Sequence, residues 1–270
     1  MSTRVALVGG TGKLGRVIRA VVEDDPDFEL VAVLGSSSSL DEIDGADLVV
    51  DATSPIVSID VVRAAIERGA NLLVGTSGWS EERIARIRPL VDDAGTGAVF
   101  VPNFSLGSVV GSALAAAAAS LFPSIEIVEA HRETKVDSPS GTAVRTAELI
   151  AAARARTGPV EAPHIDQRAR GQQVASVPIH SLRRPGVVAR QEVVLSGPGE
   201  SLTIVHDTVE PALAYAPGIR LALPAARDAR GVVVGLDAFV DLQLRHRSTR
   251  PAEGLREDAP SGQVARTSEV

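Results

Sequence analysis

The chain has 270 residues, of which 44% are hydrophobic and 23% are charged, and this mixture is typical of a globular protein with one large domain or two smaller ones. It contains no cysteine, which excludes a disulfide scaffold, a thiolate zinc site and a catalytic thiol, and no metal site is predicted. A formal net charge of −7 and an aromatic content of 3% argue against nucleic acid as a partner, because such binding needs a basic surface or stacking rings.

The first hundred residues alternate between short apolar runs and segments with helical periodicity. The apolar runs predict strands at 4–8, 28–34, 47–52, 71–75 and 97–102. Helices are predicted between them at 14–23, 59–68 and 80–92. Strands that alternate with helices in this way predict an α/β unit, a Rossmann-like doubly wound parallel sheet.

The pattern changes after residue 105, where fewer helices separate the strands. An alanine-rich helix is predicted at 108–121, a strand at 125–130 and a helix at 142–156. Three strand candidates then follow without intervening helices, at 174–183, 187–196 and 201–208, and they predict an antiparallel sheet. We therefore expect a second, α+β domain.

These elements predict three regions along the chain. Residues 1–104 and 218–245 are expected to form a dinucleotide-binding domain, because a helix and an apolar run after 218 return the chain to the first sheet. Residues 105–217 are expected to form a domain for substrate binding and oligomerisation. Residues 246–270 are polar and hold few large apolar side chains, so they are predicted to be a disordered tail.

No segment predicts a membrane anchor or a secretory leader. The most apolar stretch, 109–122, is shorter than the roughly 20 residues that cross a bilayer. The N-terminus, MSTRVALVGG, leads directly into a strand and shows no small-residue cleavage site. We expect a cytoplasmic protein.

A glycine-rich turn follows the first predicted strand. Residues 9–15 read GGTGKLG, and they lie between a strand and a helix. In this context glycines allow the backbone to approach a pyrophosphate, and the helix N-terminus supplies N–H donors. An ordinary glycine-rich turn between a strand and a helix is the alternative, but the position of this one favours a dinucleotide.

The end of the second predicted strand bears on the choice of cofactor. A site for NAD usually carries an acidic residue there, which bonds the ribose 2′-hydroxyl. Here Leu34 is followed by Gly35, Ser36 and three more serines, with no carboxylate. These small residues tolerate a 2′-phosphate and favour NADPH, with NADH as the second candidate. A linker of small residues is the alternative.

The segment 129–143 concentrates groups that are able to transfer protons and bind anions. It reads EAHRETKVDSPSGTA, and it joins a strand end to a helix start. His131 exchanges protons near neutral pH, and Lys135 adds a cation. Ser140, Gly141 and Thr142 lie where helix N–H groups bind an anion. A charged loop whose hydroxyls only cap the helix is the alternative, but the whole set within one segment favours a site.

This segment resembles the signature of the 4-hydroxy-tetrahydrodipicolinate reductase family of lysine and diaminopimelate biosynthesis, which reads E-x-H-H-x-x-K-x-D-A-P-S-G-T-A. Other family segments are similar to GGTGKLGR, VDATSP, GTSG at 75–78 and VPNFS at 101–105. The resemblance spans residues 4–243 and implies a Rossmann-like domain, a substrate domain that packs into a homotetramer, and a nicotinamide cofactor.

The resemblance also implies a role for each matching residue. His131 would be the proton donor or acceptor, Lys135 the general acid, and Ser140, Gly141 and Thr142 the site of a substrate carboxylate. The residues implied to line the cofactor are Gly9, Gly10, Thr11, Gly12, Lys13, Leu14, Gly75, Thr76, Ser77, Val101, Pro102, Asn103 and Phe104. From the strand-tip argument, Gly35 and Ser36 are predicted to join them.

Two positions depart from the family pattern. Arg132 stands where the family has its second histidine, and the segment 209–218 lacks an arginine that helps hold the family's substrate. Arg132 is therefore predicted to bind the small-molecule dicarboxylate substrate, and with Lys135, Arg183 and Arg184 to give the cleft a positive field. Two alternatives stay open: reduction of a different cyclic imine or dihydropyridine acid, and a non-catalytic nucleotide-binding protein.

Overall fold

The computed structural model describes residues 2–242, and in them two β-sheets carry helices on their faces. The predicted tail at 246–270 lies outside the described residues. Within residues 2–242, no helix combines the length and the apolar character that crossing a bilayer requires.

The first sheet contains six parallel strands, as the alternation of strands and helices predicts. Numbered along the chain, its strands are β1 (Thr3–Val8), β2 (Phe28–Leu34), β3 (Leu48–Asp51), β4 (Asn71–Val74), β5 (Gly97–Phe100) and β11 (Gly231–Val234), in the spatial order β11-β5-β4-β3-β1-β2. Every residue of β3, β4 and β5 is buried, which explains their continuous apolar sequences.

Helices cover both faces of this sheet. They are α1 (Lys13–Glu23), α2 (Val57–Glu67), α3 (Glu81–Asp93) and α6 (Pro211–Asp228). One apolar core joins α1 and α6 to the sheet, and a second joins α2 and α3 to the opposite face. The side-chain amide of Asn71 also donates to the carbonyls of Ala226, Arg227 and Ala229, and these bonds tie the end of α6 to β4.

The second sheet has five strands, and α4 (Leu106–Ala118) and α5 (Gly141–Ala153) cover one of its faces. The strands are β6 (Ser124–His131), β7 (Gln172–Val174), β8 (Val177–Arg183), β9 (Ala189–Gly197) and β10 (Glu200–Thr208), in the order β10-β9-β6-β8-β7. Short 3-10 helices occur at Leu40–Ile43, Ala119–Leu121, Arg168–Arg170 and Leu236–Phe239.

The expected antiparallel order of this sheet is wrong in part. Strand β6 lies between β8 and β9, and it is parallel to β8. Strands β8 and β9 are consecutive in the chain, but they do not pair with each other. The link at 184–188 instead crosses the end of β6, where the Arg184 N–H bonds the His131 carbonyl at 3.0 Å. The predicted strand 174–183 also breaks at Ala175 and Ser176, whose positive φ angles of 48° and 72° turn the chain between β7 and β8.

Candidate active site

The glycine turn is shaped by contacts that exclude larger residues. Gly9 has a φ of +86°, and a Cβ atom there would lie 2.4 Å from the Ala52 carbonyl oxygen. A Cβ atom on Gly15 would lie 2.1 Å from the Gly9 carbonyl oxygen. The turn therefore packs directly against α1 and the segment that follows β3, and only glycine fits these two positions.

The start of α1 has the donors that a pyrophosphate needs. Its N-cap is Gly12, and no side chain accepts a hydrogen bond from the first helical turn. Gly12 and Lys13 are exposed, so the beginning of this helix is open to solvent and carries a cationic side chain. A dinucleotide phosphate fits this arrangement, since the helix start is positive and has no cap of its own.

A buried carboxylate, which the sequence analysis did not name, organises the loop beside this turn. Asp51 ends β3 and is fully buried. One of its oxygens accepts bonds from the Thr53 amide at 3.0 Å and the Thr53 hydroxyl at 2.6 Å, and the other pairs with the Ser58 hydroxyl. The Thr53 amide also donates to the Thr76 hydroxyl at 2.9 Å, so Asp51 positions a residue predicted to line the cofactor. Asp51 lies at the carboxyl end of a predicted parallel strand, where ligands bind in such sheets, and this position could have identified it from the sequence.

Gly75, Phe104 and Leu14, which are also predicted to line the cofactor, lie close together. A Cβ atom on Gly75 would lie 2.7 Å from the Phe104 ring and 3.1 Å from the Leu14 side chain. Phe104 and Val101 are 3% and 2% exposed, so their side chains belong to the core and support the site from below. Any contact that these two make with the cofactor is expected through the backbone.

The loop at the tip of β2 is hydrogen-bonded, unlike a free linker. The Gly35 amide donates to the Ser38 hydroxyl at 3.2 Å, and Ser39 caps the 3-10 helix that follows. Ser36 is exposed. A Cβ atom on Gly35 would lie 3.8 Å from the Thr11 methyl group, so this tip borders the glycine turn.

The predicted proton-transfer group His131 is held by a buried carboxylate. Its Nδ1 lies 2.6 Å from the Glu129 carboxylate, and Glu129 is fully buried. Burial alone would raise the pKa of Glu129, but hydrogen bonds from His131, Arg183 and Ser181 outweigh it and lower the pKa to about 2. An ionised carboxylate only accepts, so Nδ1 carries the proton and Nε2 is left for a substrate.

Arg183 does not contribute a free charge to the cleft, and the sequence interpretation is wrong on this point. Its two terminal nitrogens each lie 3.0 Å from one oxygen of Glu129. Its remaining bonds go to the carbonyls of Lys135, Asp137 and Leu182. All five N–H donors of the guanidinium are used inside the fold.

Lys135 has a carboxylate partner that the sequence analysis also missed. Its ammonium lies 2.7 Å from both oxygens of Asp137. Burial would raise the pKa of Asp137, but the bonds and the charge of Lys135 lower it. The Asp137 side chain is 62% exposed, so solvent screens this ion pair and it contributes little to stability.

The start of α5 lies against the same cluster. Ser140 is buried, its hydroxyl accepts from the Ala143 amide at 3.2 Å, and its own amide donates to Glu129 at 3.2 Å. Both polar groups of Ser140 are thus used by the fold. Gly141 is exposed, and the Thr142 hydroxyl lies 3.1 Å from the Asn103 amide, which joins the substrate side to the nucleotide side.

Comparisons with known proteins agree with this geometry. The family models "Dihydrodipicolinate reductase, N-terminus" and "Dihydrodipicolinate reductase, C-terminus" match residues 3–104 and 107–240. The chain belongs to the dihydrodipicolinate reductase family.

Individual members of the dihydrodipicolinate reductase family match nearly the whole chain. A 4-hydroxy-tetrahydrodipicolinate reductase of Clavibacter michiganensis subsp. michiganensis is 56% identical over 98% of this chain and 95% of its own length. A relative of the same name from Streptomyces griseus is 42% identical over 88% of this chain and 98% of its own. Among solved structures, a dipicolinate-bound dihydrodipicolinate reductase from Paenisporosarcina sp. TG-14 is 27% identical, with a TM-score of 0.72 over 89% of this chain and all of that one.

Arg132, the departure from the family signature, lies near α6. It is exposed, and its charge acts on Tyr215. Burial raises the pKa of the Tyr215 hydroxyl, and the positive charge of Arg132 opposes part of this increase. Tyr215 packs against the core that contains Phe104. Arg132 is therefore close enough to α6 for its charge to act on Tyr215, and the beginning of this helix lacks the family's arginine.

Proposed function

We propose that this chain reduces 4-hydroxy-tetrahydrodipicolinate to tetrahydrodipicolinate, with NADPH as the preferred donor, in lysine and diaminopimelate biosynthesis. One observation carries the proposal. The His131 ring and the Ser140 amide at the start of α5 both bond Glu129, and the Asn103 amide donates to the Thr142 hydroxyl. These residues of the start of α5 and β6, together with Lys135, belong to the segment that resembles the family signature.

The proposed reaction adds a hydride and a proton to the substrate and releases water. When bound, the nicotinamide supplies the hydride. Lys135 leaves Asp137, donates a proton as negative charge develops on the substrate ring, and stabilises that charge. The Nδ1–H group of His131 stays bonded to the Glu129 carboxylate, and Nε2 orients the substrate and relays protons.

The two substrate carboxylates are assigned to two different kinds of donor. One is assigned to Gly141 and Thr142, because Gly141 is exposed at the start of α5 and the helix dipole favours an anion there. Arg132 is assigned to the other. It replaces the cation that the segment 209–218 lacks.

The preference for NADPH over NADH rests on the tip of β2. No carboxylate stands among residues 35–39, and Lys13 lies on the neighbouring turn. A 2′-phosphate bound at residues 35–39 has no carboxylate within that segment to repel it, and the cation of Lys13 favours an anion on the glycine turn. We also propose that the protein is cytoplasmic and assembles as a homotetramer through the second sheet, whose face opposite α4 and α5 carries no α-helix among the described residues.

The deciding experiment is an assay of NADPH oxidation with freshly prepared 4-hydroxy-tetrahydrodipicolinate. Turnover that requires this substrate supports the proposal. Turnover only with another cyclic imine would favour the second candidate, which Arg132 motivates. Cofactor binding without oxidation across a panel of cyclic imines would favour a non-catalytic protein.

A further inference from the structure

Several polar groups of the candidate site bond one ion pair, that of the buried Glu129 with the partly buried Arg183. The carboxylate of Glu129 has four bonds to other parts of the site: two from Arg183, one from the His131 ring and one from the Ser140 amide. Ser181 also hydrogen-bonds this carboxylate, so its capacity to accept, about four bonds, is used within the fold.

Arg183 extends this pair to the loop that carries Lys135. Its Nε lies 3.3 Å from the carbonyl of Lys135, and its Nη2 lies 2.7 Å from the carbonyl of Asp137. The backbone is therefore held on both sides of Val136, immediately next to the proposed acid. Lysine at position 183 has one ammonium and is unable to make these bonds together.

We infer that Glu129 and Arg183 are positioning residues that fix the His131 tautomer and the location of Lys135 at the same time. Glu129 keeps the proton on Nδ1, and Arg183 holds the loop at the distance that Glu129 sets. The inference rests on the proposed function, since it assumes that His131 and Lys135 act on the substrate. Neither positioning residue needs to touch the substrate.

The same strand offers a matched control. Glu126, three residues before Glu129 on β6, also has one histidine and one arginine as partners, His180 at 2.7 Å and Arg170. Because successive side chains of a strand alternate between faces, Glu126 projects to the face opposite Glu129. Its carboxylate side chain is 27% exposed, against 0% for Glu129. It holds no part of the candidate site.

The first test is Arg183→Lys, which keeps the positive charge beside Glu129. We expect kcat to fall about 10- to 100-fold, because a small misplacement of catalytic groups costs this much. The affinity for NADPH should stay within about twofold, as the cofactor lies on the other sheet. It can be measured through the fluorescence of Trp79, the single tryptophan of the chain. Arg170→Lys should leave kcat within about threefold.

The second test is independent of catalysis and of the stability of the first variant. The ¹⁵N spectrum of the imidazole groups reports which ring nitrogen carries the proton. His131 should give an Nδ1–H signature in the wild type, and Glu129→Gln should lose it, whereas Glu126→Gln should retain it.

These outcomes separate the inference from the proposed function. A wild type without reductase activity would reject the function, but the tautomer test would still decide whether Glu129 fixes His131. A folded Arg183→Lys variant with full kcat, or an unchanged His131 signature in Glu129→Gln, would overturn the inference.

Discussion

The two helix starts proposed to bind anions, those of α1 and α5, differ in how their first-turn N–H groups are used. At α1 the N-cap is Gly12, and no side chain accepts from the first turn. At α5 the N-cap is Ser140, whose hydroxyl accepts from Ala143 and whose amide is tied to Glu129. The first start is open, and the second is fixed on a buried carboxylate.

This difference matches the anions proposed for each helix. A pyrophosphate carries several oxygens and is bound best where all first-turn N–H groups are available. A single carboxylate that must be oriented for reaction is bound best where the helix start cannot shift. Changes at α1 should therefore alter cofactor affinity, and changes around α5 should alter turnover or substrate affinity.

Lys135→Ala should show the largest difference between an effect on turnover and an effect on cofactor affinity. Loss of a general acid typically lowers the rate about 10²- to 10⁴-fold, so kcat should fall by this factor. NADPH affinity, read from Trp79 fluorescence, should not change, because Lys135 lies on the α5 side. A loss of kcat below about tenfold with a good substrate would remove Lys135 from the mechanism.

Glu129, the carboxylate bonded to the start of α5, should make the free energy of unfolding depend on pH in the acidic range. Burial opposes ionisation of Glu129, but its hydrogen bonds hold the pKa at about 2, below the ordinary 4.5. The folded state therefore binds fewer protons than the unfolded state between these values. The stabilisation, at most about 3 kcal/mol, is complete above pH 4.5 and disappears as the pH falls towards 2.

Denaturant titrations of the wild type and Glu129→Gln should show this loss. At neutral pH the variant should be less stable, and the difference should shrink as the pH falls from 5 to 2. A difference in unfolding free energy that stays constant over this range would show that Glu129 is not the group responsible.

Gly12→Ala and Gly141→Ala compare the two helix starts directly. A Cβ atom on Gly12 would lie 3.3 Å from the Gly9 carbonyl oxygen, so alanine fits with a small shift but fills the space where a phosphate approaches. Losing one charge-assisted bond weakens binding by about 10- to 100-fold, and we expect this for NADPH in Gly12→Ala. Gly141 has open space around its Cβ position, so alanine there should affect only the KM for substrate. Equal effects on cofactor affinity in both variants would refute the distinction.

Arg132→His tests whether Arg132 replaces the arginine missing near Pro211. If it does, the KM for 4-hydroxy-tetrahydrodipicolinate should rise about 10- to 100-fold, the cost of a lost charge-assisted bond to a carboxylate. If Arg132 instead marks a different substrate, the wild type should be poor on this compound and Arg132→His should improve it or change nothing. The two hypotheses therefore predict opposite signs in one kinetic comparison.

The sequence was most informative where local pattern decides structure. The parallel sheet followed from apolar runs between helical segments, and the turn at 9–15 and the segment 129–143 stood out because their chemistry is local. The position of β6 between β8 and β9 was missed, because strand order depends on which distant strands pair.

The same limit applied to the candidate site. Arg183 lies far from Glu129 in sequence, and only the parallel pairing of β6 with β8 brings them together. From its charge alone, Arg183 was therefore predicted to contribute to a positive electrostatic field at the substrate site. Asp51 and Asp137 were missed for a different reason. Each bonds a residue two positions away, Thr53 and Lys135, so a local signal was present in the sequence and was not used.

The smallest expected effect concerns the α1 side and the choice between NADPH and NADH. The wild type should bind NADPH at least as tightly as NADH, because no carboxylate at the tip of β2 repels a 2′-phosphate. Gly35→Asp places one there, and the fold should tolerate it, since the nearest atom to its Cβ position is the Thr11 methyl group at 3.8 Å. An exposed charge contributes about 1 kcal/mol, so the ratio of the two affinities should move roughly fivefold toward NADH. Asp at position 35 also accepts bonds from a ribose 2′-hydroxyl, and NADH binding itself should therefore strengthen. Clearly tighter NADH binding by the wild type would show that the acidic partner lies elsewhere on the first sheet.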